Sequence, residues 1–212
     1  SVTSIGYYSF AYAYSLASVD IGDGVTSIGD SAFYSTDLTS VVIPNSVISV
    51  GEDAFKSTGL TSVDIGNSVT SIGEGAFEDT GLTNVVIPNS VTSIGEDAFY
   101  LTSLTSVDIG NSVTSIGDWA FEGTDLTSVV MPESTVIEDN SFDDSVVIIG
   151  GVDPLGNPIN GGTGSFSITG IPDVGNELTV IQTADDPDGN GAVSYRWQAS
   201  IDGSSWSEEG TG

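Results

Sequence analysis

The chain of 212 residues carries 30 Asp and Glu against two cations, Lys56 and Arg196, for a formal net charge of −28. Phosphate binding uses Lys and Arg to displace counterions, so nucleic acid is excluded as a partner class, and an anionic membrane surface is disfavoured on the same ground. Without Cys or His there is no disulfide, thiol, zinc site or usual general base, while 38% hydrophobic against 15% charged residues suffices for a packed core.

From its first residues the chain repeats one phrase: SVTSIGYYSF at 1–10, then SVTSIGEGAF at 68–77 and SVTSIGEDAF at 90–99, with relatives at 24, 46 and 112. Phe33, Phe55, Phe77, Phe99 and Phe121 fall 22 residues apart, and Phe10 and Phe142 extend the series with a one-residue insertion and a one-residue deletion. Upstream run Val25, Val47, Val69, Val91 and Val113, then Ile28, Val50, Ile72, Ile94 and Ile116; downstream run Leu38, Leu60, Leu82, Leu104 and Leu126. Behind each Leu, LTSVVIP or LTSVDIG reads as a short strand of β-branched residues stopped by Pro or Gly. One such unit cannot bury its apolar comb alone but stacked copies can, which predicts a β-rich solenoid with parallel strands about 4.8 Å apart. The G-acid-x-A-F segment is expected to form a single helical or irregular turn that drops Phe into the core. A second period of about 44 residues overlies the first: the outward position reads Asp20, Val42, Asp64, Val86, Asp108 and Val130, with Gly and Pro terminators alternating in phase. Tandem duplication is its simplest account.

The pattern LxxVxIPxSVTSIGxxAF resembles the BspA-like leucine-rich repeats of secreted and surface proteins, over residues 1–149. The resemblance implies a leucine-rich-repeat array at the cell surface or outside the cell, acting in adhesion or as a platform for an extracellular protein or glycan ligand. Two features depart from the family: Thr58, Thr80 and Thr124 stand where a Cys is frequent, and Asn45, Asn67, Asn89 and Asn111 occupy a neighbouring turn position in place of the usual asparagine ladder.

Residues 150–164, rich in Gly, Pro and Asn, read as a linker. Beyond it FSITGIP, ELTVIQT and VSYRWQAS read as alternating strands, and residues 165–212 resemble the start of a bacterial immunoglobulin-like module, a partial antiparallel β unit that stops short of seven strands. The whole is expected to be a piece of a longer protein. No segment reaches the length of a membrane span, so no membrane insertion is expected within it.

The binding surface is expected on the strand columns Thr39, Thr61, Thr83, Thr105 and Thr127 with Ser40, Ser62, Asn84, Ser106 and Ser128, where hydroxyls could meet a matrix protein, a glycan or an ice lattice, or simply face solvent. An acid ladder, Asp30, Glu52, Glu74, Glu96 and Asp118, reads as turn-start carboxylates meeting free N–H groups in preference to a cation stripe. The loop DDPDGNG offers Asp185, Asp186, Asp188 and Asn190 as oxygen ligands, but Trp197 stands where an EF-hand needs Glu. A looser calcium site and a plain polar turn both remain open there, and calcium is the one cofactor the chain suggests. The tyrosines at 7, 8, 12 and 14, with Phe10, form an aromatic cluster particular to the first repeat: an interaction patch or a cover for its edge. Catalysis finds no nucleophile with an evident base, and the carboxylate pairs recur from repeat to repeat where a reaction needs one distinct pocket, so no enzyme activity is expected.

Overall fold

A computed structural model describes residues 2–156, 158–160, 166–169, 179–182, 196–199 and 207–211. It divides into two compact units, Ser1–Gly161 and Gly162–Gly212.

The coils of the first unit stack through three ladders. The longest uses the dipeptide inside the repeated phrase: Ser4–Ile5, Ser27–Ile28, Ser49–Val50, Ser71–Ile72, Ser93–Ile94, Ser115–Ile116 and Val136–Ile137 pair in parallel, each with its neighbour. The branched residue points inward and Ser outward. The glycine that follows is needed because the coils nearly touch there: a Cβ on Gly73 would lie 2.6 Å from the carbonyl carbon of Gly51.

The second ladder is the one foreseen in LTSVVIP and LTSVDIG, and it is discontinuous. Ser40–Ile43 pairs with Ser62–Ile65, Asn84–Val86 with Ser106–Asp108, and Ser128–Val130 with Val147–Val152, all in parallel. The Pro/Gly alternation explains the grouping in twos. Gly66 lies so close to the repeat before it that a Cβ would be 2.5 Å from the Pro44 carbonyl oxygen, and Gly110 repeats this on Pro88. Pro88 in turn has no N–H to donate across to the repeat preceding it. The 44-residue period is therefore a packing unit.

The third ladder is the turn segment around Phe. It contains no helix; it is a chain of turns in which alternate amides reach the next coil. Ser31, Phe33 and Ser35 donate to the carbonyls of Glu52 (2.7 Å), Ala54 (2.8 Å) and Lys56 (2.9 Å), and the pattern recurs in the following repeats. Two residues per coil take left-handed backbone to achieve this, for example Asp53 (φ 53°) and Ser57 (φ 55°). Because no helix dipole is present, the expected reading of the acid ladder as helical-turn starts is corrected. Among the described residues only Asp30 of that ladder sets its carboxylate on a backbone amide, that of Glu52 one coil on at 3.1 Å.

The phenylalanines form a continuous stack through the core. From Phe10 to Phe142, successive ring centroids lie 5.0–5.4 Å apart with planes within 10°. Phe33 to Phe121 are fully buried, and each aromatic pair contributes about 0.5–1.5 kcal/mol beyond its buried area. After four of the phenylalanines a Thr closes the turn: Thr58, Thr80, Thr102 and Thr124 donate Oγ1–H to the carbonyl of the Phe three residues earlier at 2.8–2.9 Å.

Part of the expected linker is folded. Val147–Val152 runs into residues 150–152, and Pro158–Asn160 returns antiparallel to it. Asp153 closes the turn between them, accepting from Leu155 N at its carboxylate (2.9 Å) and from Gly156 N at its carbonyl (2.8 Å). The Gly, Pro and Asn that suggested a linker are here turn residues of a terminal hairpin.

In the second unit, Phe166–Thr169 pairs antiparallel with Thr179–Gln182, and Arg196–Ala199 with Ser207–Thr211. These are two separate two-stranded sheets among the described residues. The residues named for calcium, Asp185, Asp186, Asp188 and Asn190, lie outside the described residues.

Candidate binding face

Strand alternation sends Val41, Val85 and Val129 into the core, together with Ile43 and Ile87, leaving the intervening residues outside. The columns Thr39, Thr61, Thr83, Thr105, Thr127 and Ser40, Ser62, Asn84, Ser106, Ser128 are all exposed, and within them Ser40 pairs in register with Ser62 and Asn84 with Ser106. Two of the threonines are partly engaged: Thr61 and Thr105 donate Oγ1–H to the carbonyls of Thr39 (3.3 Å) and Thr83 (3.1 Å). The remaining hydroxyls form an outward polar row.

On the same face, two residues after each Ser or Asn, stand Val42, Asp64, Val86, Asp108 and Val130. The three valines are 62–63% exposed, unusual for β-branched residues in a regular strand. The face therefore alternates an apolar rung with an acidic one, each flanked by hydroxyl or amide. A concavity of about 800 Å³ opens at its N-terminal end, lined by Asp20, Asp23, Val42, Asn45 and Asp64 among others. The alternation and its outward direction were visible in the sequence; what the sequence left unmarked is how far the valines are exposed.

The turn side is different in character. Its acids crowd one another: neighbouring Glu74, then desolvation, then Asp53 and Asp30 push the Glu52 carboxyl up, against the opposing pull of Lys56. Desolvation raises Asp97, and desolvation with Asp143 and Asp144 raises Glu122. Lys56 reaches from its own Asp53 (3.4 Å) to Glu78 of the next coil (2.7 Å). Burial pulls its ammonium down, but the hydrogen bond to Glu78 and the charges of Asp53 and Glu78 outweigh this and hold it above the ordinary lysine value. Among the described residues no His/Cys/Asp/Glu group is arranged to hold a metal, and no helix is long and apolar enough to cross a membrane.

The stacked 22-residue coils, with inward Leu, Val, Ile and Phe in fixed columns, match the BspA type leucine rich repeat region in six copies, over residues 1–41 and 26–148. The chain belongs to that family. Its BspA-type array is similar to three solved structures. A leucine-rich repeat protein from Bacteroides ovatus shares 24% identity, with a TM-score of 0.57 over 70% of this chain and 43% of that one, a likeness of fold. One from Eubacterium ventriosum shares 31% identity, with a TM-score of 0.50 over 54% and 31%. The leucine-rich repeat protein of T. pallidum shares 28%, with a TM-score of 0.52 over 61% and 64%. The chain thus spans less than two thirds of the length of each. No curated protein matches it.

Proposed function

We propose that the BspA-type array is a non-catalytic binding platform at the surface of a bacterium or outside it, a segment of a larger protein that holds an extracellular protein or glycan on its outer strand face. One observation carries this reading: Val42, Val86 and Val130 are held about two-thirds exposed at every second rung, between the carboxylates of Asp64 and Asp108. Packing does not require valine there, since Asp occupies the same position in the intervening rungs. A surface of regular apolar, acidic and hydroxyl rows is suited to an extended partner that meets several coils at once. The same alternation argues against an ice-lattice surface, because rungs of Val and Asp interrupt the hydroxyl array. The calcium reading of Asp185, Asp186, Asp188 and Asn190, and the immunoglobulin-like reading of 165–212, belong to this proposal on sequence grounds alone.

The test replaces Val42, Val86 and Val130 by Ser and Thr39, Thr83 and Thr127 by Ala, and measures attachment to immobilised matrix proteins and glycan arrays. Attachment should fall at least about tenfold, while stability changes by less than about 0.5 kcal/mol per site, as for surface substitutions. Undiminished attachment would make the array a spacer that presents a binding head elsewhere.

A further inference from the structure

The first coil carries a surface the others lack. Tyr7, Tyr8, Tyr12 and Tyr14 occupy its turn segment and are joined by Tyr34 of the next coil. Ring centroids lie 4.4 Å apart for Tyr7–Tyr8, 6.4 Å for Tyr8–Tyr12, 6.1 Å for Tyr12–Tyr14, and 5.3 Å for the edge-on pair Tyr12–Tyr34. The four of the first coil remain exposed. Tyr8 and Tyr12 sit in left-handed backbone (φ 54° and 60°), where later coils place Ser31, Asp53, Gly75, Asp97 and Trp119 or Ser35, Ser57, Asp79, Leu101 and Gly123. A bulky aromatic is disfavoured in that conformation; the first coil carries two, and among the described residues of the later coils Trp119 is the one aromatic so placed.

The cluster borders the acid ladder. Tyr8 N donates to the Asp30 carbonyl at 3.1 Å, and the Asp30 carboxylate accepts from Glu52 N at 3.1 Å. Desolvation, then Tyr8, then the charges of Asp30 and Glu52 raise the Tyr7 phenol above its ordinary value. Lys56, the one Lys or Arg within residues 1–161, is committed to Glu78 and Asp53. Negative ring faces beside carboxylates make a surface complementary to guanidinium or ammonium groups.

We propose that Tyr7, Tyr8, Tyr12, Tyr14 and Tyr34, with Asp30 and Glu52, form a second docking surface, for an arginine- or lysine-bearing segment of a partner protein. Its cations lie over the ring faces and its charge is met by the two carboxylates. The site is on the turn side of the array and does not depend on the strand face.

The test measures binding of a hexa-arginine peptide to the full chain at about 0.15 M salt, where exposed charges are screened beyond about 8 Å. Three variants accompany the wild type, with folding checked by circular dichroism. Y8S/Y12S installs at both positions the residue that the second coil already carries in the same backbone conformation. D30N/E52Q removes two charges beside the rings, and E96Q/D118N removes two from the same ladder away from them. The expected result is binding weakened about tenfold in Y8S/Y12S, weakened also in D30N/E52Q, and unchanged in E96Q/D118N. The proposal is overturned if the peptide does not bind the wild type or if Y8S/Y12S binds as well. It is overturned equally if E96Q/D118N loses as much as D30N/E52Q, since the attraction is then that of the net charge alone.

Discussion

The turn side and the strand side of the same coils are built under different rules. On the turn side the junctions from the second coil to the sixth are alike: one Phe on the next, one set of amides into the next set of carbonyls, at a 22-residue period. On the strand side the junctions come in two kinds, a tight one where Gly66 or Gly110 receives a proline carbonyl and a looser one where proline has no N–H to give. The first side fixes the pitch, so the second is free to vary its outward residues without risk to the stack.

Breaking the uniform side should have the largest effect. Phe77→Ala removes a fully buried ring from the middle of the stack, and a loss of about 3–5 kcal/mol is expected in denaturant melts. A smaller loss would show that the ladders hold the pitch without the rings. Gly66→Ala probes the tight junction, where the new Cβ would meet the Pro44 carbonyl at 2.5 Å. About 1–3 kcal/mol is expected, and a negligible cost would remove the distinction between junctions.

The smallest effect concerns the crowded acids of the turn side. The raised carboxyls of Glu52, Asp97 and Glu122 bind protons more tightly folded than unfolded. Their contribution to stability therefore grows as pH falls through their raised folded pKa values and is complete below the unfolded values. Lowering pH from about 7 to about 5 should raise the melting temperature by a few degrees, and added salt at pH 7 should act in the same direction. A melting temperature that falls on mild acidification would mean that paired carboxylates outweigh the repelled ones.

The apolar columns were legible because the 22-residue period repeats them in register, and Phe, Leu and Val each recur often enough to be unmistakable. The dipeptide ladder was not, since two residues such as Ser71–Ile72 have no period of their own and gain strand character only from stacking. The left-handed turns were hidden because their residues vary from Ser and Asp to Tyr, Trp and Leu, with Gly at only Gly75 and Gly123 among the two columns. The outward position of Val42 and Val86 could be read from strand alternation, yet their being left exposed is a property of the folded surface. The terminal hairpin was masked by Gly, Pro and Asn, which serve a turn as readily as a linker.

Near-identical coils carry a hazard that the proline–glycine alternation relieves. A chain of interchangeable units can skip one while folding and stack the remainder in false register, or exchange a unit with another molecule. If one coil were skipped, Pro88 would fall over Pro44, where close approach demands a glycine. A slip of one unit is thus penalised by sterics, and only a slip of two restores the match. The alternation acts as a parity check on assembly order.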